Sequence, residues 1–554
     1  MRNKAKRLFA ISLVSLIIEI SFTGIPNNYV KAADTNYGMG DELVSKEDQD
    51  LFFDEYGDGC DSSDYATNSN ALPSSIDLST SEYFPEIGDQ GGIGSCLSWA
   101  STYYQFTYEA HKLNNIVTTN SNAYSPAWTY NFTTNGNTSS GSYYTDVYSL
   151  LINQGAATMN EMPYNIDNYD TSWPTNTDIM MNALKTRVLS TGKIELSATG
   201  TCYTSNKDSD LSAVKQLLSS GKVLMVRVQA ENQLNNWSFK NAYGSTDTVA
   251  YRAAKSDSGH AMTVVGYDDN ICCDVNGNGK IEASEKGAFK VANSWGTGWG
   301  NSGYIWVLYD ALNGVSANTT NNWESKLSGT REGIFYRNNE VEDLNVKNKQ
   351  NTFFYIDVQN CNIGIIGQLK IKTENVNKLR LTLFKSTANN QNGNDNIPFL
   401  NCAFKNSRVG GIDTKRQYNG TVIFDYGALD EPLTQLLDGY YYGAMIENLN
   451  DSYSTRFEGM SFQITDDKLN IIKKLSSVNP ELANCLTKTA SEQLNLKIGD
   501  VNYDGVLDSK DSQILIDYVL NLATLSTLHN YIGDISEDGV VTATDLVLLN
   551  KMIK

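Results

Sequence analysis

Apolar residues recur at helical spacing directly after a Gly/Ser-rich turn near residue 95. This spacing of three or four residues is typical of an amphipathic helix. Ser95 stands where an N-cap residue is expected. We therefore predict a helix that has Cys96 in its first turn. The apolar positions of this helix are Trp99, Tyr103, Phe106, Ala110 and Leu113.

Two strands are predicted further along the chain, separated by a polar insertion. Residues 259–267 are apolar and β-branched, and the strand is expected to end at Gly266 and the pair Asp268-Asp269. Residues 287–292 form a second short apolar run. A hairpin of these two strands would bring together the residues at its open end. These residues are His260, at the start of the first strand, and Asn293, just after the second.

The insertion between these strands has the pattern of a calcium-binding loop. Residues 274–285 place oxygen ligands at the positions of an EF-hand loop, with Gly279 at the sharp turn. The alternative is a polar hairpin loop rich in Asn and Gly. We expect calcium here to hold the two strand ends together. The predicted ligands are Asp274, Asn276, Asn278, the Lys280 carbonyl, Glu282 through water, and Glu285.

The middle of the chain, residues 338–467, alternates strand-like runs with Asn/Gly/Asp turns. The runs are 353–356, 379–384, 421–424 and 440–446. This pattern predicts an all-β sandwich. Residues 468–497 are mixed and polar, and we interpret them as a linker.

Two related calcium loops close the sequence, each followed by an apolar helix. Their first aspartates, Asp500 and Asp534, lie 34 residues apart. A duplicated loop is a far more specific signal than a single one, and Gly stands at the sixth position of each. The predicted ligands of the first are Asp500, Asn502, Asp504, the Val506 carbonyl, Asp508 and Asp511. Those of the second are Asp534, Ser536, Asp538, the Val540 carbonyl, Thr542 and Asp545.

Cys96 is the candidate nucleophile of the chain. A thiol in the first turn of a helix feels the positive end of the helix dipole, which lowers its pKa toward the thiolate. The side-chain amide of Gln90 is placed to donate to an oxyanion beside the Cys96 backbone N–H. The alternative is a buried structural cysteine near a turn.

A thiolate needs a base, and the chain has three histidines. His111 and His529 are expected at the polar surface, whereas His260 opens an apolar strand. An Asn293 carbonyl is placed to hold the imidazole in one orientation, and Trp295 to screen that bond from water. We therefore predict a catalytic set of Cys96, His260, Asn293 and Gln90.

In these residues the chain resembles the papain family of cysteine peptidases, from about Leu72 to Phe335. The resemblance implies an α+β papain-like peptidase domain over 72–337, with Gln90 as oxyanion donor. Two features depart from the family pattern: Leu97 stands where the family has Trp, and a disulfide usual near Ile93 has no plausible cysteine pair. These departures support an alternative, a catalytically weak or inactive module that binds peptide or glycan.

The C-terminal loops resemble a type I dockerin over 498–554. The resemblance implies a small α-helical domain that binds two calcium ions and docks to a cohesin on a cellulosome scaffoldin. The middle sandwich resembles, in placement and texture, the lectin-like sandwich that some bacterial papain-like peptidases carry in this position, which implies a glycan as its expected ligand. In another view that sandwich carries the main function and the peptidase only processes its neighbours.

Residues 1–32 have the basic, apolar and small-residue segments of a secretory signal peptide. Residues 33–71 form a short acidic leader, expected either to lie in the cleft as a minimal propeptide or to be inert. The formal charge of −20 makes nucleic acid and anionic membranes poor partners. The eight scattered cysteines form no disulfide framework. We therefore expect a secreted, extracellular, calcium-dependent cysteine endopeptidase without a redox cofactor, acting on protein or peptide substrates.

Overall fold

The computed structural model of the chain describes 20 stretches of residues. The predicted signal segment and about half of the acidic leader lie outside them. The described residues are 38–42, 44–57, 72–196, 207–229, 234–240, 246–254, 259–274, 279–281, 283–309, 331–333, 337–338, 349–361, 364–386, 395–397, 416–426, 441–448, 453–465, 471–478, 487–493 and 497–554.

Helices lie mainly in the first half of the chain and at its C-terminus. They are α1 (Lys46–Tyr56), α2 (Cys96–Ser98, Trp99–Phe106 and Thr107–Asn114 in direct succession), α3 (Pro126–Thr133), α4 (Tyr144–Gln154), α5 (Thr177–Ala183), α6 (Lys207–Ser219), α7 (Ser509–Val519), α8 (Thr527–Gly533) and α9 (Ala543–Met552). In the described residues, no helix has the length and apolar character needed to cross a membrane.

Strands fill most of the region between these helices. They are β1 (Ser75–Asp77), β2 (Thr186–Leu196), β3 (Leu224–Gln229), β4 (Leu234–Lys240), β5 (Thr246–Ala254), β6 (Gly259–Cys272), β7 (Lys286–Ala292), β8 (Tyr304–Leu308), β9 (Arg331–Gly333), β10 (Arg337–Asn338), β11 (Lys349–Asn360), β12 (Ile365–Thr373), β13 (Leu379–Ser386), β14 (Asp395–Ile397), β15 (Tyr418–Asp425), β16 (Tyr441–Asn448), β17 (Thr455–Thr465), β18 (Ile471–Val478) and β19 (Thr487–Gln493).

The helix predicted after Cys96 is present, but its middle part is a π-helix over Trp99–Phe106. Its aromatic residues pack on one another, with Trp99 4.6 Å from Tyr103 and Phe84 5.5 Å from Tyr104 between ring centroids. Burial of these rings stabilises the helix against the sheet. The helix therefore holds Cys96 rigidly at its N-terminal end.

An eleven-stranded sheet forms from the described strands, and β6 lies at its centre. In order, the main path is β10, β11, β3, β6, β7, β8, β5 and β4. The predicted hairpin of β6 and β7 is antiparallel, with Thr263 opposite Ala292. Strand β6 runs on past Gly266, where we expected it to end. A register shift at this glycine, and the close approach of the Ile76 carbonyl of β1, let the strand continue.

The middle of the chain is a β-sheet region, as its pattern predicts. The strands that the structure describes here form two four-stranded sheets, with the orders β15-β12-β17-β18 and β14-β13-β16-β19. They share a core in which the Tyr426 ring lies 5.4 Å from Tyr442 on one sheet and 5.5 Å from Phe462 on the other. The lectin-like identity of this region stays a prediction.

Two stretches belong to other parts of the fold than the domain boundaries expected from sequence would place them in. The run 353–356, which we assigned to the middle region, belongs to β11 and pairs with β2 and β3 of the first sheet. The expected linker 468–497 contains β18 and β19, each of which pairs at the edge of a sheet of the middle region. Both stretches are placed by the strands they pair with, and those partners lie far away in the chain. The local sequence pattern contains no information about such pairing.

Arg416 joins the β-sheet region to the peptidase region. It is 9% exposed and donates to the carbonyl oxygens of Thr134 at 2.8 Å and Asn131 at 3.0 Å, and to that of Thr171. A second buried contact is the ion pair of Arg187 with Asp425 at 2.9 Å. Breaking either contact would leave a buried charge unpaired, which is strongly destabilising. The two regions are therefore packed as one body.

Candidate active site

Cys96 lies fully buried at the start of α2. Ser95 occupies the N-cap position but makes no capping bond, and its hydroxyl pairs instead with Tyr164 at 2.6 Å. The Sγ of Cys96 accepts the Gly40 N–H at 3.2 Å. Burial raises the pKa of the Cys96 thiol to about 11, although backbone hydrogen bonds from Ala261, Gly40 and Leu97 act in the opposite direction. The lowered pKa expected from the helix dipole is therefore wrong for this state of the protein, because desolvation is the larger effect.

His260 and Asn293 meet at the open end of the β6–β7 hairpin. The Nε2 of His260 lies 2.8 Å from the Oδ1 of Asn293. That oxygen also accepts the Ser294 N–H at 2.8 Å, which fixes it as the acceptor. Nε2 must therefore carry the proton, and Nδ1 keeps a free lone pair. Within the described residues Nδ1 has no hydrogen-bond partner.

Trp295 covers this pair from one side. Its ring stacks on the His260 imidazole with centroids 4.7 Å apart and an interplanar angle of 28°. His260 is fully buried, and burial lowers its pKa to about 4, partly offset by the bond to Asn293. The imidazole is therefore neutral at neutral pH, and the screening expected of Trp295 is present as geometry.

Gln90 is tied to the segment that carries Asn293. Its Oε1 accepts the Ser294 hydroxyl at 2.6 Å, and its backbone N–H donates to the Ser294 carbonyl at 2.8 Å. Its Nε2 donates to the carbonyl oxygens of Ile93 at 2.8 Å and Gly38 at 2.7 Å. The amide that we predict to bind an oxyanion thus holds a peptide carbonyl.

The other two histidines lie apart from this set. The Nδ1 of His111 lies 2.7 Å from the Thr118 hydroxyl. The surface position expected for His111 is wrong, since it is 3% exposed and burial lowers its pKa to about 4. His529 lies in the C-terminal domain, where its Nδ1 is 2.6 Å from the Ser526 hydroxyl.

Residues 38–42, which we call the cleft segment, occupy the space around Cys96. The Gly38 N–H donates to the Gly91 carbonyl at 3.1 Å, and the Gly40 carbonyl accepts the Ser142 N–H at 2.8 Å. The Asp41 N–H donates to the carbonyl of Gly259 at 3.3 Å. Main-chain bonds therefore hold this segment on both sides of the thiol. A leader in the cleft is one of the two alternatives expected from the sequence, but none of these contacting residues was predicted.

Glycine is needed where the cleft segment passes closest to the wall. A Cβ on Gly40 would overlap the Gly94 carbonyl, and one on Gly38 would overlap the Ile93 carbonyl. Backbone atoms leave little room to yield. The Gly-Met-Gly sequence at 38–40 was the signal that could have revealed a close approach.

Helix α1 anchors the cleft segment to the body of the protein. Ser45 caps it by accepting the Asp48 N–H. Phe52 is 5% exposed and lies 6.3 Å from the Tyr144 ring, and Phe53 stacks on Phe354 at 6.3 Å. The described part of the leader is therefore a packed element, because the aromatic side chains of this otherwise charged helix hold it against the body of the protein.

The two C-terminal loops have matching backbone geometry. Asp500 accepts the N–H of Asp504 at 3.0 Å and of Gly505 at 2.8 Å, and Asp534 accepts those of the equivalent residues at 3.2 and 2.7 Å. Gly505 and Gly539 have φ of +84° and +89°, which glycine adopts readily. Asp511 and Asp545, at the last ligand positions, fold back onto their own loops.

Oxygen-only donor sets of this kind fit calcium, which accepts carboxylate, amide and backbone oxygens together. Across the described ranges, no group of three or more His, Cys, Asp or Glu side chains is placed to hold a metal. The fit of calcium to each loop therefore depends on carboxylate, amide or hydroxyl, and backbone carbonyl oxygens acting together.

The insertion between β6 and β7 repeats the first part of this geometry. The Oδ2 of Asp274 accepts the Gly279 N–H at 2.8 Å, and Gly279 has φ of +80°. Glu285, the predicted last ligand, is 2% exposed, whereas Lys280 is exposed. The predicted ligands Asn276, Asn278 and Glu282 lie outside the described residues.

Comparison with known proteins agrees with this geometry. Residues 72–322 match the papain family cysteine protease, and residues 498–554 match the dockerin type I domain. The chain therefore contains a papain-family (C1) cysteine protease domain and a C-terminal type I dockerin domain.

Individual relatives cover only part of the chain. A cathepsin L-like proteinase from Fasciola hepatica is 26% identical over 241 residues, which are 44% of this chain and 62% of that protein. The match thus spans less than two thirds of this relative. Among solved structures, xylellain, a cysteine protease from Xylella fastidiosa, is 18% identical, with 58% of this chain and 96% of that chain covered and a TM-score of 0.33. ProCathepsin B S9 from Trypanosoma congolense is 15% identical, with 58% of this chain and 83% of that chain covered and a TM-score of 0.32.

Proposed function

We propose that this protein is a secreted cysteine endopeptidase that hydrolyses peptide bonds and docks through its dockerin to a cohesin of a cellulosome scaffold. The observation that carries the peptidase assignment is the His260–Asn293 bond, which leaves a neutral imidazole with a free Nδ1 lone pair. The Ala261 N–H, from the residue next to His260, hydrogen-bonds the Cys96 thiol. Nucleophile and base therefore lie on adjoining elements.

The chemistry follows from these positions. His260 Nδ1 takes the proton of the Cys96 thiol, and the thiolate attacks the carbonyl carbon of the peptide. The Gln90 amide and the Cys96 backbone N–H stabilise the oxyanion. The imidazolium then gives its proton to the departing amine, which leaves a thioester. Water, deprotonated by His260, hydrolyses the thioester and restores the thiol.

We further propose that the described state is latent. A substrate carbonyl must reach the Gln90 amide, but the Gly38 carbonyl occupies that donor. A substrate must also approach Cys96, whose thiol is buried and protonated. The cleft segment therefore has to leave before peptide enters. This favours the minimal propeptide over the inert leader.

Alkylation by an epoxide thiol reagent tests the peptidase assignment in the full chain carrying Gly40→Ala, whose added Cβ would overlap the Gly94 carbonyl and displace the cleft segment. We expect label on Cys96 to grow in proportion to the loss of hydrolysis of a protein substrate. Cys272 is an exposed free thiol in the described part of the chain and serves as the internal control. Complete labelling of Cys96 with full hydrolysis retained would contradict the proposal. Binding of peptide without any hydrolysis would favour the alternative of an inactive module.

Calcium is proposed for three loops, two in the dockerin and one at 274–285. When bound, calcium would be held by the oxygen ligands predicted for each loop and would fix the loop backbone. In the insertion this would tie β6 to β7 and so keep His260 beside Asn293. In the dockerin it would set α7 and α9 for cohesin docking, since metal binding and folding are coupled.

Calorimetric titration of the full chain with calcium checks this proposal. We expect about three ions per chain, and the loss of about one with each of Asp500→Ala, Asp534→Ala and Asp274→Ala, because the first ligand of each loop is removed. Cohesin binding should fall only with the first two substitutions.

Asp517→Ala is the matched control, since Asp517 lies on α7 outside the loops and accepts from Gln513. It should leave the number of bound ions unchanged. An unchanged number with Asp274→Ala would overturn the loop at 274–285 alone, and an unchanged number with the other two would overturn the dockerin sites.

A glycan ligand of the two-sheet region is also proposed from its placement between peptidase and dockerin. The test is binding of the full chain to a glycan array. If the protein still binds to the array after denaturant has unfolded its strands, the binding does not come from a folded site and the proposal is contradicted.

A further inference from the structure

Arg227 is a buried cation in the wall of the cleft. It lies on β3 directly opposite Ala261 of β6, and the neighbouring Val228 lies opposite His260. It is 6% exposed, and its guanidinium carbon lies 5.3 Å from the centre of the Tyr144 ring. The Arg227 side chain therefore borders the same space as the Cys96 thiol.

The acidic contacts recorded for Arg227 come from the leader. Its Nε donates to both carboxylate oxygens of Asp41 at 2.9 Å, and its guanidinium donates to the Glu42 carbonyl at 2.9 Å. The Asp41 carboxylate has no exposed surface in this pair. Asp41 follows Gly40, whose N–H contacts the nucleophile. The ion pair is thus one residue from the reacting sulfur.

Departure of the leader changes the charge balance of this wall. The Tyr144 ring, which lies against the guanidinium, belongs to the body of the protein and carries no carboxylate. With the leader in place, burial lowers the pKa of Arg227 to about 10, so the guanidinium is charged at neutral pH in the latent state. A buried cation without a partner is unfavourable, and a planar guanidinium binds a carboxylate better than other groups.

We propose that Arg227 selects an acidic side chain of the substrate at the position that Asp41 fills in the latent state. The inference depends on the peptidase function proposed above and adds its substrate class: proteins cleaved within about two residues of an Asp or Glu. Asp41 then acts as an internal copy of the preferred residue. The same pocket serves to hold the leader and to choose the substrate.

A peptide panel tests this specificity in the full chain carrying Gly40→Ala, a substitution that removes the room the cleft segment needs. The peptides differ only in Asp, Asn or Lys at each position near the cleaved bond. At one position we expect kcat/KM for Asp to exceed that for Asn by about 30-fold or more, since the Asn peptide leaves the buried charge unpaired. Lys should be cleaved least.

Arg227→Met keeps the length of the side chain and removes its charge. It should abolish the preference for Asp over Asn, so that kcat/KM for the two peptides becomes equal within about threefold, because no buried cation then distinguishes a carboxylate from an amide. Arg227→Glu should favour the Lys peptide. If either variant fails to fold by circular dichroism, the comparison of Asp with Asn in the Arg227 protein still decides.

Failure of the specificity is distinct from failure of the peptidase assignment. Hydrolysis of Asn and Asp peptides at equal rates overturns the role of Arg227 and leaves the peptidase intact. If the epoxide labels Cys96, which shows that the site is open, but the unlabelled protein hydrolyses no peptide of the panel, the peptidase function is overturned, and the specificity with it. An Asp preference that persists in Arg227→Met assigns the selection to another residue and also overturns the inference.

Discussion

Replacing Cys96 with alanine is expected to reduce peptide hydrolysis to less than about 10⁻⁴ of the unmodified rate, since removal of a nucleophile removes the covalent route. His260→Ala should be nearly as damaging, because the thiol then has no proton acceptor. Asn293→Ala should be milder, because Asn293 orients the imidazole and transfers no proton. The measurement is turnover of a fluorogenic peptide with folding checked by circular dichroism.

Cys272→Ala is the matched control for this experiment. Cys272 is exposed at the end of β6, on the same strand as His260. Its substitution should leave turnover unchanged. Hydrolysis by the Cys96→Ala protein within about tenfold of the unmodified chain would place the nucleophile elsewhere, because loss of a true nucleophile costs far more.

Gly40→Ala is expected to expose the active site in the full chain. The added Cβ would overlap the Gly94 carbonyl, and overpacking against backbone disfavours the occupied cleft relative to the open one. The alkylation rate of Cys96 and the hydrolysis of peptide should both rise by about tenfold or more. Displacement also breaks the Gly40 N–H contact with the thiol, so reagent reaches the sulfur directly.

Glu55→Ala is the control for changes to the leader that do not touch the cleft. Glu55 is exposed on α1, and its loss should not alter the labelling rate. The latent state is contradicted if Cys96 in the unmodified chain reacts as fast as in Gly40→Ala. Slower labelling in Gly40→Ala would mean that the cleft segment does not shield the thiol.

Local sequence determined the parts of the site in which the contacting residues lie close together in the chain. Each predicted calcium loop is a run of twelve residues whose ligand spacing is set by the backbone of that run, so the Asp500 and Asp534 loops of the dockerin domain could be predicted directly. The β6–β7 hairpin could also be predicted, because apolar β-branched runs on both sides of a polar loop favour pairing. This pairing is what brings Asn293 to His260.

Tertiary structure alone decided the state of the thiol. The helix dipole is a local effect and points to a lowered pKa, but the burial of Cys96 depends on a segment 56 residues away in the chain. Desolvation outweighs the dipole in such a setting. The same reasoning holds for His111, whose polar sequence neighbours suggested a surface position that distant packing removes.

Arg227 and Asp41 show the limit of sequence most clearly. They are 186 residues apart, and each stands in sequence as an ordinary charged residue. Only the pairing of β3 with β6 and the passage of the leader across the cleft place the two charges together out of water. The order of Cys96, His260 and Asn293 thus predicted the chemistry from sequence, whereas what fills the cleft followed from the fold, because burial and ion pairing depend on distant contacts.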